Sequence, residues 1–411
     1  MSAAAPMGAR QQAVIAVNAG SSSLKFALYS YLADGSTGAA TLSGGIDGLE
    51  PDGQPALALR TASASASIKQ ALPRTPGDSF EQALTALRGI LRQHAGDVEV
   101  VAIAHRIVHG GERYAQSVLL DAATLAELRA LAPLAPLHQP HNLDGVEAFQ
   151  RAYPGLPQVG CFDTSFHASM GPLEQNFALP QALRREGIRR YGFHGLSYRY
   201  VAARLAEHSE RAKDRVLMAH LGNGASVCAM RDGASSATSM GFSALDGLMM
   251  GTRSGALDPG VLLHLLRQGW DCARIEAMLY KQSGLLGVSG VSADMRTLRA
   301  SEQPEAAFAI ELFVHRLVRE CGALTATLGG VDLLAFTGGI GEHDAALRQA
   351  ACEQLGFLGL RIDPARNREA DGNSIMAIHA SSSSVEIWVV PTDEGRVAAG
   401  DAADLLGATT R

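Results

Sequence analysis

The chain has 411 residues, enough for two domains that each bury a sizeable core. Apolar residues make up 47% and charged residues 18%, an ordinary globular balance, and a net charge of -6 argues against nucleic acid or anionic membrane as the main partner. No apolar run approaches the roughly 18 residues that a membrane helix needs.

The first twelve residues, MSAAAPMGARQQ, lack the apolar centre of a signal peptide and read as a disordered tail. A strand at Val14–Val17 then enters VNAGSSSLKFAL, whose Asn-Ala-Gly-Ser-Ser-Ser turn leads into alternating residues carrying Lys25. This is a phosphate-loop composition inside a hairpin, with no GxxxxGK[ST] and no helix start. TASASASIKQ (Thr61–Gln70) reads as a surface excursion. Helical spacing then predicts a helix over Ser79–Gln93, and an apolar strand follows at Val98–Ala104. That strand runs into HRIVHGG, which carries Arg106. After a helix at Asp121–Leu131 comes the loop APLHQP with His138, then a strand at Gln158–Phe162 ending in FDTSFH with Asp163.

The second half repeats the grammar. YGFHG with His194 precedes a helix at Ser197–His208, and a strand at Val216–Leu221 enters HLGNGAS with Gly222, Asn223 and Gly224. GLMMGTRSG carries Arg253, and a long helix spans Glu305–Leu328. A strand at Val331–Phe336 leads into TGGIGEHD, read as a glycine turn with a helix over Asp344–Leu355. The serine tract Ser381–Ser384 is a second surface excursion, and the strand Val385–Val390 ends in PTDEG with Asp393 and Glu394. Strands alternating with helices define an α/β protein. VIAVNAGSSSLKFAL and VLMAHLGNGASVCAM match in plan about half a chain apart, which points to a duplicated domain opening each time on a hairpin.

Loops at the carboxyl ends of α/β strands are where ligands bind. Here five of them carry Arg106, Asp163, the Gly222–Gly224 turn, the GGIGE glycines and the Asp393–Glu394 pair. The chemistry that suits them is phosphoryl transfer. Glycine-rich turns let backbone N–H groups approach phosphate oxygens. A carboxylate such as Glu394 can hold Mg²⁺, and Arg106 and Arg253 offer forked hydrogen bonds to a planar group. His138 and His194 sit between Pro or Gly residues and read as donors to developing charge. His105, His109, His141, His167 and His379 read as structural or surface groups, without metal-binding spacing. Five scattered cysteines with no CxxC pair indicate reduced thiols rather than disulfides or a zinc site.

Nine segments in order, VNAGSSSLKFAL, HRIVHGG, APLHQP, FDTSFH, RRYGFHG, HLGNGAS, GLMMGTRSGALDPG, TGGIGE and PTDE, make the chain closely resemble the acetate kinases from about Val14 to its C-terminus. That resemblance implies duplicated βββαβαβα domains of the actin-like ATPase and ribonuclease H-like fold around a central ATP cleft. It implies an N-terminal domain of residues 1–165 plus 396–411, and a C-terminal domain of residues 166–395 that also dimerises. The implied reaction is ATP + acetate ⇌ ADP + acetyl phosphate, in the cytoplasm, with Mg²⁺ (Mn²⁺ able to substitute) and a homodimeric enzyme.

By the same resemblance, Asn18 and Glu394 are similar to the magnesium-associated positions and Lys25 to a group near the nucleotide phosphates. Arg106 corresponds to the residue that binds the substrate carboxylate, with Val108, Leu137 and Phe193 forming a small apolar pocket. His194 and Arg253 match the pair that stabilises the transition state, His138 supports them, and Asp163 matches the catalytic aspartate. The ATP-binding loops correspond to His220, Leu221, Gly222, Asn223 and Gly224, to Asp294, Met295 and Arg296, and to Gly339, Ile340, Gly341, Glu342 and His343. The chain departs from the usual pattern at Gln139, Leu196, Tyr198, Ala244, His343 and Gly395. Acetate arrives ionised at neutral pH and needs no general base, so Asp163 is expected to orient Arg106 or metal-bound water. The nearest alternative is a propionate or other short-chain carboxylate kinase. An actin-like or chaperone-type ATPase would lack Arg106, Arg253 and His194, and a sugar kinase would need a base and polar partners.

Overall fold

The computed structural model describes residues 11–50, 53–62, 68–73, 79–96 and 98–409. Of the tail expected over the first twelve residues, Gln11 and Gln12 instead open a strand, and of the expected Thr61–Gln70 excursion Thr61 and Ile68–Gln70 belong to strands; the rest of the tail and residues 63–67 lie outside the described residues. The chain forms two compact units, Met1–Ser165 with Asp393–Arg411, and Phe166–Thr392. The chain returns to the first unit at Asp393, so Glu394 and Gly395 belong there and not with the second unit.

Among the described residues the first unit has eight strands: β1 (Gln11–Ala19), β2 (Ser23–Tyr31), β3 (Thr37–Asp47), β4 (Ala56–Thr61), β5 (Ile68–Ala71), β6 (Val98–Ile107), β7 (Val118–Leu119) and β8 (Gln158–Phe162). Their order is β5-β4-β3-β2-β1-β6-β8-β7. β1 pairs antiparallel with β2 and parallel with β6, and β6 pairs parallel with β8. The central strands are continuous apolar runs because both faces are covered, as β8, buried along its whole length, shows. β2 instead alternates, turning Leu24, Phe26 and Leu28 into a core that helices Ser79–His94 and Gln139–Ala152 close with Leu84, Leu87 and Phe149. The last helix, Glu394–Thr409, packs on β6 and β1 through the small residues Ala398, Ala399, Ala402 and Ala403.

The second unit carries β9 (Val216–Leu221), β10 (Ala225–Arg231), β11 (Ala234–Thr238), β12 (Leu333–Thr337), β13 (Met376–Ala377) and β14 (Glu386–Val389), in the order β11-β10-β9-β12-β14-β13. β9 is antiparallel to β10 and parallel to β12, and β12 is parallel to β14. The run β3-β2-β1-β6-β8 therefore has the same order and directions as β11-β10-β9-β12-β14, and both sheets end on a short antiparallel edge strand. The duplication expected from two similar hairpins is a duplication of whole sheets. Helix Pro304–Leu328 covers the second sheet, burying Phe313, Leu317, Cys321 and Leu324 at helical spacing.

Two segments differ from expectation. APLHQP is not a free loop: helix Gln139–Ala152 starts at Gln139, with Pro140 in its first turn, where a missing N–H costs nothing. The glycines of GGIGEH are themselves a helix, Gly338–His343, and Asp344 then caps a second helix, Ala345–Gln354. The cysteines are free thiols, all buried except Cys272.

Candidate functional site

In the first unit the polar groups gather around Arg106, near the end of β6. Asp163 follows directly on the end of β8, the strand beside β6, and is almost fully buried. It accepts Arg106 Nε at 2.9 Å and Nη2 at 2.6 Å, a two-point fork. The remaining Arg106 nitrogen, Nη1, lies 3.4 Å from Glu394 Oε2 at the start of the last helix. Burial opposes charging the guanidinium, yet the Asp163 and Glu394 carboxylates outweigh it and hold Arg106 more firmly protonated than usual.

The loop after Arg106 is fastened from helix Gln139–Ala152. Asn142 accepts the Val108 N–H at 3.0 Å and donates to the Ala19 carbonyl at 2.6 Å, joining the loop to the end of β1 just before the hairpin turn. Gln139, buried, accepts the His109 N–H and donates back to the His109 carbonyl at 3.0 Å. His138 stands at the N-cap of that helix, half-buried, beside half-buried Leu137. In the β1–β2 hairpin Gly20 N–H closes the turn on the Ser23 carbonyl, and Asn18 stands directly opposite Lys25 on one face of the ladder. Gly395 has a local reason: a Cβ there would lie 2.6 Å from the hydroxyl of Tyr29, which donates to Asp393 at 2.5 Å.

The second unit gathers its groups around the β9–β10 turn. His194 occupies the left-handed region at φ 60°, an uncommon place for a residue with a side chain. Its loop is fixed from beneath by buried His167, whose Nδ1 meets Ser235 Oγ and whose Nε2 meets the Phe193 carbonyl at 2.9 Å. His194 Nδ1 is 2.8 Å from Ser226 Oγ, which in turn meets the Tyr198 hydroxyl. The His194 ring stacks on His220 at 4.2 Å, and His220 Nδ1 meets Ser197 Oγ, itself 2.9 Å from Thr392 Oγ1. A Cβ at Gly224 would lie 3.2 Å from His194 Nε2 and 3.5 Å from Arg253 Nη2, so the turn glycine brings backbone beside both groups. Arg253 donates through Nη1 to the Ala244 carbonyl at 2.8 Å, and Gly251 N–H bonds the Asn223 carbonyl.

The structure thus groups His194, Arg253, His220, Leu221, Gly222, Asn223 and Gly224. The Gly338–His343 helix follows β12, which pairs with β9, and a Cβ at Gly338 would press on Leu221. Within that helix Glu342 turns its carboxylate inward, accepting the Gly338 N–H at 2.8 Å and the Thr392 N–H at 3.1 Å. His343 leans on the 371–372 turn, with Nδ1 2.7 Å from the Asp371 carbonyl. Asp294 caps helix Met295–Arg299 and pairs with Arg296 at 2.7 Å; the Arg296 hydrogen bond leads in pushing its carboxyl down to about 2. Met295 is buried.

Sequence reasoning missed Asn142, Ser226, Ser197, Thr392 and the fully buried Arg348. Ser226 sits inside HLGNGAS, and Arg348 falls in line with Ala351, Cys352 and Leu355 on the buried stripe of its helix. Asn142 carries no sequence signal beyond its place in an amphipathic helix.

Two tandem copies of one sheet plan, each led by a glycine turn, define an actin-like ATPase fold. The Acetokinase family model matches residues 13–400, so the chain belongs to the acetokinase family. It is 47% identical over 384 residues to an acetate kinase of Rhodopseudomonas palustris, covering 93% of this chain and 95% of the relative. Among solved structures it is similar to Porphyromonas gingivalis acetate kinase at 36% identity and a TM-score of 0.84, covering 96% of this chain and 100% of that one. A propionate kinase from Francisella tularensis aligns at 36% identity and a TM-score of 0.86, over 95% of this chain and 98% of the other.

Proposed function

We propose that the chain catalyses ATP + acetate ⇌ ADP + acetyl phosphate, a phosphoryl transfer to a carboxyl group. The observation that carries the reading is the Asp163–Arg106 fork: a fixed, permanently charged guanidinium at a strand end suits a carboxylate substrate, not a sugar hydroxyl. In this reading Arg106 binds the acetate carboxylate and Asp163 orients Arg106. Acetate is already anionic, so Asp163 has no proton to take. Val108 and Leu137 in the first unit, and Phe193 in the second, are by resemblance the positions that meet the acetate methyl.

His194 and Arg253 stabilise charge on the phosphoryl group in transfer, a role that fits a hydrogen-bonded imidazole carried on left-handed backbone beside a glycine turn. His138 supports them. Lys25, the His220–Gly224 turn, Asp294–Arg296 and Gly339–His343 bind the nucleotide. Among the described residues no three His, Cys, Asp or Glu side chains converge as a metal cage. Asn18 and Glu394 fit the other way of holding Mg²⁺, in which one or two protein oxygens complete a shell of water and phosphate oxygens. Mg²⁺ or Mn²⁺ would supply charge neutralisation on the phosphates.

A homodimer through the second unit is supported by helix Pro259–Arg267, which buries none of its residues and exposes Leu263 and Leu266 to 52% and 50%. No helix among the described residues is long and apolar enough to cross a membrane. The test of the reaction is trapping of acyl phosphate as hydroxamate with ATP, Mg²⁺ and a panel of acetate, propionate, butyrate and glucose. The reading predicts trapped product with acetate foremost; product from propionate foremost gives the short-chain alternative, and no acyl phosphate overturns both.

A further inference from the structure

Arg348 lies in helix Ala345–Gln354 with none of its surface exposed. A buried arginine is commonly matched by a carboxylate, since an uncompensated charge is costly to bury. Here all five guanidinium donors go to neutral oxygens instead. Nε donates to Asn367 Oδ1 at 2.8 Å, Nη1 to the Gly341 and Glu342 carbonyls at 2.9 and 2.7 Å, and Nη2 to the Asn367 and Ala370 carbonyls at 2.7 and 3.0 Å. That is the full donor inventory of the side chain.

The acceptors share a geometry. Gly341 and Glu342 belong to the last turn of helix Gly338–His343, and Asn367 and Ala370 to the end of helix Pro364–Glu369. Carbonyls at helix C-termini have no partner within the helix and favour a cation. One side chain therefore closes two helix ends and ties them together. Asn367 completes the tie by donating to the Ala345 carbonyl at 2.8 Å. His343 rests on the same segment through the Asp371 carbonyl. At the other end of the short helix, Glu342 holds the Gly338 N–H. Six residues rich in glycine have little intrinsic helix stability, so their conformation depends on these two clamps.

We propose that Arg348 is the positioning residue of the nucleotide site: it fixes the Gly338–His343 helix in the shape that receives ATP, without touching ATP itself. The inference rests on the reading of that helix as part of the nucleotide site. Lysine cannot replace it, because one ammonium with three donors cannot span acceptors on two helices.

The test is steady-state kinetics on the full chain with ATP and acetate varied separately, for Arg348→Lys, Asn367→Ala and Gly339→Leu. Asn367→Ala removes only the Nε acceptor and the Ala345 tie, and serves if Arg348→Lys does not fold. Gly339 is exposed and a Cβ there meets nothing within 4 Å, so Gly339→Leu fits the fold and tests directly whether this helix faces the nucleotide. Arg348→Lys should raise the KM for ATP about tenfold or more while the KM for acetate stays within about twofold. Asn367→Ala should give a smaller shift, again confined to ATP. Equal rises in both KM values would assign Arg348 a general structural role and overturn the inference. A rise in Gly339→Leu with none in the other two would overturn it and leave the nucleotide reading standing. No rise in any of the three would remove the nucleotide reading, and the inference with it.

Discussion

Arg106 in the first unit and Arg348 in the second are both held by every nitrogen they have, yet by opposite means. Arg106 is gripped by the Asp163 and Glu394 carboxylates and keeps 22% of its side chain exposed. Arg348 is fully buried and gripped by five neutral oxygens. A guanidinium clamped by carboxylates at a loop edge has its fork aimed and its charge retained at the surface, where a second anion can reach it. A guanidinium saturated by carbonyls has nothing left to offer a ligand, and its effect is on the backbone that it ties. In the proposed reading the same residue type serves binding in one unit and shape in the other, and the partners, not the residue, decide which.

The largest effect should come from removing the first of these. Arg106→Ala is expected to lower turnover by about 10³ or more, the scale attached to arginines at phosphoryl-transfer sites, and Arg253→Ala should do the same. Arg106→Lys should recover little, because Asp163 accepts from Nε and Nη2 together. Near-normal turnover in a folded Arg106 variant would erase the contrast with Arg348.

Asp163→Asn sharpens the contrast by leaving Arg106 in place and loosening its aim. Turnover should fall about 10²-fold, the cost of misplacing a binding group by roughly an ångström. The pH–rate profile should keep its acidic limb, since no proton acceptor has been removed. Loss of a limb present in the parent would return Asp163 to the role of general base.

Each unit also buries a neutral histidine, and these should make both acid-labile. Burial, opposed only by the hydrogen bonds to Gln158 and to the Phe193 carbonyl, pushes His105 and His167 down to about 4. The unfolded chain titrates near 6.5, so between those values it binds more protons than the folded one. Stability is therefore complete above about pH 6.5 and falls as pH drops toward 4, by roughly 2–3 kcal/mol per histidine. Denaturant midpoints between pH 7 and 4.5 measure it, and His167→Gln should flatten the slope. An unchanged slope would mean that His167 does not titrate this way.

The smallest effect is expected at Ala244, whose carbonyl accepts Arg253 Nη1. By resemblance to the acetate kinases this position corresponds to a Pro of the substrate pocket, and the smaller Ala should admit propionate more readily. One methylene in an apolar pocket is worth about 10–200-fold, and this chain should sit at the tolerant end. Ala244→Pro should raise the acetate-to-propionate ratio of kcat/KM a few-fold within that range. A constant ratio in a folded variant would take Ala244 out of the substrate wall.

Much of this was legible in the sequence because the residues that carry it lie at strand ends. β8 and β9 run where their apolar stretches place them, and the match of the two glycine turns reports a duplication of whole sheets. The helix over GGIGEH was not legible, because three glycines in six residues argue against a helix, and what makes one is long-range: Glu342 to Thr392 and Arg348 to Asn367. The helix after His138 was hidden by Pro136 and Pro140, which bracket Leu137–Gln139, although Pro140 suits a first helical turn. Asn142 shows the limit most plainly, since its links to Val108 and Ala19 join residues far apart in the chain.

Phosphoryl transfer to acetate is followed most directly by ³¹P NMR of the unmodified protein with ATP, Mg²⁺ and acetate. Transfer to a carboxylate held by Arg106 predicts an acyl phosphate resonance growing in step with ADP, absent without acetate and nearly absent in Arg106→Ala. ADP appearing with inorganic phosphate alone, at a rate indifferent to acetate, would contradict the account and make the protein an ATPase of the same fold.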